Sequence, residues 1–147
     1  MKKSELLKRV TRDNYQSVVY ISHGYGGKKK NLDEIEEVMK IANKVFPDYL
    51  FINPVGCFSS LYSEVDYNKG LDMTLCLLDE LCDEMWVCDE NYQKSRGCLI
   101  EIYYCDKFNI PYKFMPIHHL KELLLQKEKT QIKSEDDIKQ TVGECCD

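Results

Sequence analysis

Three short apolar runs constrain this chain more than any other feature: Ser17-Val18-Val19-Tyr20-Ile21, Tyr49-Leu50-Phe51-Ile52-Asn53 and Glu84-Met85-Trp86-Val87-Cys88. They are continuous rather than alternating, the pattern of strands covered on both faces in a parallel sheet. Segments with helical spacing separate them. Leu32, Ile35, Val38, Met39 and Ala42 form one face of a helix over 32–45, with Asn31 as its N-cap. Leu71, Leu75, Leu78 and Leu81 form the inward face of a second helix that starts at Asp66-Tyr67. A third runs from the N-cap Ser95 to Phe108 and turns Cys98, Ile102 and Cys105 to the sheet. Asn109 ends it, and Pro111 to Met115 is a fourth strand. Strand and helix in alternation predict an α/β domain with right-handed crossovers.

At 147 residues and 44% hydrophobic content, the chain suits one domain with a single core. It has no apolar run near twenty residues and no signal-peptide pattern, so a cytoplasmic protein is expected. A formal charge of -5 argues against general binding to nucleic-acid backbones. The eight cysteines contain no Cys-x-x-Cys pair and mostly fall at apolar-periodic positions, so buried thiols are expected rather than disulfides or a metal site. Cys145-Cys146 is the exposed exception.

The fold class is therefore a three-layer, flavodoxin/Rossmann-like domain with a central parallel sheet of four or five strands. Such sheets bind ligands beyond the carboxyl ends of the strands, where the strand order switches. Two loops fall there. After the first strand comes Ser22-His23-Gly24-Tyr25-Gly26-Gly27, then Lys28-Lys29-Lys30. The glycines let successive N–H groups converge on an anion, and the lysines attract one, with His23 and Tyr25 as candidate base or ribose contacts; a solvated turn is the plainer reading, with His23 a turn residue. After the third strand comes Ser95-Arg96-Gly97, whose helix start offers free N–H groups, and one turn later Glu101 between Ile100 and Ile102. Partial burial at the site mouth raises the pKa of such a carboxyl. A helix residue bonded to local backbone is the alternative for Glu101. Between these loops, Val55 to Glu64, with Phe58 and Tyr62, is an irregular segment or short helix across the entrance, where aromatic side chains stack on a ligand; packing in the core is the alternative for Phe58.

The Ser95-x-Gly97-x-x-x-Glu101 helix and the Val19-Tyr20-Ile21-Ser22-His23-Gly24-Tyr25-Gly26-Gly27 stretch, with Leu77-Leu78 and Cys82-Asp83-x-x-Trp86-Val87 between them, resemble the nucleoside 2-deoxyribosyltransferase-like superfamily. The pattern is similar to its 2'-deoxynucleoside 5'-phosphate N-hydrolase branch, and to small domains of that superfamily carried on phages and other mobile elements. It covers roughly residues 17–116. The resemblance implies that Glu101 is a nucleophile on the anomeric carbon, giving hydrolysis with water and transfer with a second base. It implies phosphate held by Ser95, Arg96, Gly97 and the Ser22–Gly27 loop, and the base by Tyr25 or Phe58. The sugar falls to an acid at the start of the second helix, Asp72 before Asp66. No cofactor or metal is required, and a homodimer or larger homo-oligomer is implied. A non-catalytic binder of a nucleotide-derived signal is the alternative.

Beyond 1–116, residues 117–147 form a second segment. Ile117 to Lys127 is an amphipathic helix, and the charged remainder is expected to be disordered apart from a capped turn at Ser134. Residues 3–10 read as a short N-terminal helix.

Overall fold

The computed structural model describes residues 14–145, so the helix expected over 3–10 lies outside the described residues. The chain runs β1 (Ser17–Ser22), α1 (Lys29–Val45), β2 (Tyr49–Ile52), α2 (Pro54–Phe58), α3 (Tyr67–Leu81), β3 (Glu84–Val87), α4 (Arg96–Phe108), β4 (Tyr112–Phe114) and α5 (Ile117–Cys145). Among the described residues four strands pair in parallel in the order β2-β1-β3-β4, with Ser22 beside Val87 at the carboxyl ends of β1 and β3. The order reverses between those two strands. This is the α/β, three-layer, flavodoxin/Rossmann-like architecture expected from the alternation.

Both sheet faces are covered, which is why the strands read as unbroken apolar runs. On one face Val19, Ile21, Phe51, Trp86 and Cys88 pack against Val38 and Ala42 of α1 and Ile117 and Leu120 of α5. On the other, Tyr20, Met85 and Val87 pack against Leu78 of α3 and Cys105 of α4. Each large side chain so buried contributes roughly 1.5–3 kcal/mol. Trp86 is enclosed by Phe46, Tyr49 and Phe51 at centroid distances of 5.1, 6.0 and 5.2 Å. Its indole N–H donates to Glu84 Oε1 at 2.6 Å, and Ser17 Oγ donates to Glu84 Oε2 at 2.7 Å, so the carboxylate opening β3 is paired.

The helix starts that position the site form as their caps dictate. Asp66 accepts from the Lys69 N–H at 2.8 Å to open α3, and Ser95 Oγ accepts from the Cys98 N–H at 3.2 Å to open α4. Asn109, in the left-handed region at φ 57°, closes α4.

Four expectations are corrected. Asn31 does not cap α1, which starts earlier at Lys29 with Lys28 as an N-cap that makes no side-chain bond. Gly26 and Gly27, at φ 59° and 73°, bring the chain round so that the Lys28 N–H already meets the Tyr25 carbonyl at 3.1 Å. Asn31 Nδ2 donates to that same carbonyl at 2.9 Å and ties the loop to the helix. The segment after Lys127 is helical, not disordered, and Ser134 lies within α5 rather than at a cap. No proline interrupts it, no glycine occurs before Gly143, and its Lys, Glu, Gln and Leu content favours helix. Because Ile117 and Leu120 belong to the main core, α5 begins as part of the α/β domain rather than of a separate 117–147 unit. Cys88, Cys98 and Cys105 are buried, whereas Cys57 and Cys76 are exposed on α2 and on the outer face of α3. Among the described residues no helix is long and apolar enough to cross a membrane.

Candidate active site

Glu101 is the buried acid of a cavity of about 870 Å³ that opens above the β1–β3 switch. It is only 6% exposed, because α4 turns it, with Cys98 and Cys105, toward the sheet. Its bond is to Ser22 rather than to local backbone: the Ser22 hydroxyl donates to Oε1 at 3.1 Å. Burial pushes the pKa of Glu101 from 4.5 to about 7, against the opposing pull of the Tyr20 and Ser22 hydroxyls. Near neutral pH the group is thus divided between acid and carboxylate.

Beneath it sits Tyr20. Its hydroxyl is the one buried side-chain polar atom among the described residues without a well-formed hydrogen bond. It lies close enough to Glu101 and Thr74 for both to bias its ionisation, and burial first and the Glu101 charge second raise its pKa.

The two loops singled out in the sequence meet. A Cβ built on Gly24 would stand 2.8 Å from Asp89 Oδ2 and 3.3 Å from Ser95 Oγ, so only glycine lets the β1 loop approach the β3 loop this closely. The Gly24 N–H donates to Asp89 Oδ2 at 3.0 Å, which removes that N–H from any role in holding an anion. Asp89 Oδ1 accepts from the Asn91 N–H at 2.8 Å. At the start of α4, the N–H groups of Arg96 and Gly97 precede the first intrahelical bond and have no acceptor within the helix. Lys28, Lys30, Lys94 and Arg96 line the same cavity. An anion is therefore served best at the α4 end.

His23 is buried at the crest of β1. Its Nδ1 lies 2.7 Å from the Gly24 carbonyl oxygen and 3.6 Å from Asp89 Oδ2, while Nε2 bonds to Glu34 Oε2 of α1. Together His23, Glu34 and Asp89 are the one group among the described residues whose side chains come close enough to share a metal ion.

Of the residues expected at the site, His23, Gly24, Tyr25, Gly26, Phe58, Asp66, Ser95, Arg96, Gly97 and Glu101 line the cavity. Three do not. Ser22 lies beneath Glu101 and holds it from behind. Gly27 is occupied by the fold, since a Cβ there would meet the Tyr62 ring at 3.1 Å. Asp72 lies in a shallow depression with Tyr67, Lys69 and Arg96, outside the main cavity, because it stands almost two helical turns beyond Asp66 on the exposed side of α3. Asp66, at the cavity rim, is the acid of that pair that reaches the site.

Aromatic side chains line the cavity with these charges. Tyr25 and Tyr62 meet edge to face at 5.0 Å, Phe58 is a further lining residue, and the Arg96 guanidinium sits 5.1 Å over the Tyr67 ring. Sequence reasoning missed Tyr20, Tyr67 and Asp89. Tyr20 and Asp89 carried a signal: one is the only hydroxyl-tipped aromatic within the β1 run, and the other is the first acid after β3. Tyr67 carried none, because the phase of its segment about the cavity depends on packing. No family model, curated protein or solved structure matches the chain.

Proposed function

We propose that this protein binds a nucleoside or nucleoside 5'-phosphate and cleaves or transfers at its N-glycosidic bond, with Glu101 as the nucleophile. The observation that carries this reading is a carboxyl buried more deeply than Asp66 and Asp89 yet lining the same cavity, with one oxygen fixed by Ser22 and its pKa raised to about 7. A carboxylate so placed attacks an anomeric carbon as the base leaves and forms a glycosyl ester, which water or a second base then resolves. Its burial strengthens its attraction for an oxocarbenium-like centre.

The other parts follow from the same geometry. The first turn of α4, with Ser95, Arg96 and Gly97, receives the phosphate, aided by Lys28, Lys30 and Lys94. Asp66 holds the sugar, and Tyr25, Phe58 and Tyr62 stack on the base. The protein acts in the cytoplasm as a homo-oligomer, for which Leu99 and Tyr103, 44% and 67% exposed on α4, offer apolar surface.

The test is base release. Wild type is incubated with a panel of deoxynucleosides, ribonucleosides and their 5'-phosphates, beside Glu101→Gln, and free base is measured by chromatography. Release by wild type and at least a hundredfold less by the variant, with an unchanged circular dichroism spectrum, supports the nucleophile. A second reading, a binder that sequesters a nucleotide-derived signal, draws on the position of Asp72 outside the cavity. Tight binding with the nucleotide recovered intact favours it.

A further inference from the structure

The His23 ring meets oxygen on both edges. Its Nε2 bonds to the Glu34 carboxylate, and its Nδ1 points at the Gly24 carbonyl oxygen, 2.7 Å away, with Asp89 Oδ2 at 3.6 Å. Carbonyl and carboxylate oxygens only accept hydrogen bonds, and a neutral imidazole has one N–H and one lone pair. With Nε2–H given to Glu34, the lone pair of Nδ1 faces two further acceptors. Something positive belongs between them. It is either a proton on Nδ1, with the proton of the Nε2–Glu34 contact held by the ring or by Glu34, or a cation.

We propose that the site is a divalent-cation site, with His23 Nδ1, Asp89 Oδ2 and the Gly24 carbonyl oxygen as ligands and Glu34 as the partner that orients the imidazole. Three observations favour the cation over the proton. First, bonds of about 2.0–2.2 Å place neighbouring ligands on one ion roughly 2.8–4.4 Å apart; Asp89 Oδ2, 3.6 Å from Nδ1, stands within that range, and the Gly24 carbonyl oxygen, at 2.7 Å, stands just short of its lower end. Second, the backing is of the kind metal-bound histidines have, a carboxylate on the far ring nitrogen. Third, a lone ring proton leaves charge unmatched: Glu34 and Asp89 are two carboxylates, and no lysine or arginine among the described residues pairs with either.

The arrangement also faces the right way. His23, Gly24 and Asp89 line the cavity and Glu34 does not, so the vacant coordination positions open toward bound ligand rather than toward α1. A mixed set of one nitrogen and two oxygens suits manganese, iron or zinc better than calcium. An ion here gives the glycine loop, whose first N–H is committed to Asp89, another means of meeting a phosphate or sugar oxygen. The site does not depend on Glu101 being a nucleophile.

The test uses Mn2+ alone, added to the full chain without nucleotide. Binding is followed by electron paramagnetic resonance of the free ion, and location by broadening of imidazole NMR signals. The expected result is saturable binding of about one equivalent, with the His23 signals broadened and those of exposed His118 and His119 unchanged. Asp89→Asn then weakens binding at least tenfold and Glu34→Gln about tenfold, while Glu101→Gln binds normally. The proposal is overturned by unsaturable binding, or by affinity unaltered in Asp89→Asn. The wild type alone also decides it, with no variant needing to fold: sharp His23 signals at saturating Mn2+, with a proton on Nδ1, identify a hydrogen bond to the Gly24 carbonyl in place of the ion. Loss of base release in Glu101→Gln leaves this result untouched, so the two readings fail separately.

Discussion

The Ser22 hydroxyl donates to Glu101 Oε1 across 3.1 Å, joining the last residue of β1 to the second turn of α4 over 79 positions of sequence. Both groups are buried, so the bond fixes which way the carboxyl faces and opposes the burial that raises its pKa. Ser22→Ala therefore raises the pKa of Glu101 further and leaves a buried charge short of a donor. The expected cost is about 1–3 kcal/mol at pH 8 and less at pH 5, where the carboxyl is neutral. Urea denaturation at the two pH values checks it, and equal losses at both would contradict the assignment.

The raised pKa of Glu101 has a stability consequence with a definite sign. Below pH 4.5 the carboxyl is neutral in the folded and unfolded chain alike. Between 4.5 and about 7 the folded chain keeps a proton that the unfolded chain has lost, so stability falls as pH rises across that window. The full difference is about 3 kcal/mol. Wild type minus Glu101→Gln, measured from pH 4 to 8, isolates it; a flat difference would show that the carboxyl titrates normally.

Gly24→Ala tests the meeting of the two loops. The added methyl group overlaps Asp89 Oδ2 and presses on Ser95 Oγ. The expected result is a loss of about 1–3 kcal/mol together with at least tenfold weaker nucleotide binding by calorimetry. Wild-type affinity in this variant would mean that the β1 loop does not form the site wall.

The C-terminal helix divides into a structural part and an extension. Leu120 is fully buried against the sheet, whereas 128–136 are exposed. Leu120→Ala is expected to cost about 2–5 kcal/mol. Lys127 donates to the carbonyls of Lys44 and Val45 at 2.6 and 3.4 Å and closes the end of α1, so Lys127→Met is expected to cost about 0.3–1 kcal/mol. A chain ending at Glu128 is expected to keep its thermal midpoint within a few degrees, and a collapse of that midpoint would place the extension in the fold.

Much of this was legible because its signals are local. Continuous apolar runs gave the strands, and Asp66 and Ser95 gave helix starts, since a cap needs only its own side chain and the next turn. Glu101 could be singled out from its place one turn after Ser95. Its bond to Ser22 could not, because strand register and helix rotation set that distance together. The same limit explains Asp72: two acids six positions apart on one helix lie on different faces, and only packing decides which face meets the cavity. Asn31 was misread for a different reason. Two left-handed glycines shortened the preceding loop and moved the helix start past it. The extension of α5 was misjudged from charge content, although helix propensity pointed the other way.

The most direct measurement of the central claim is mass spectrometry of the intact protein, quenched in acid during incubation with deoxynucleosides and their 5'-phosphates. The expected result is a transient gain of one deoxyribosyl or deoxyribosyl-phosphate unit, mapped by digestion to the peptide holding Glu101 and absent in Glu101→Gln. Base release with no adduct under any quench, or an adduct on another residue, would contradict Glu101 as the nucleophile.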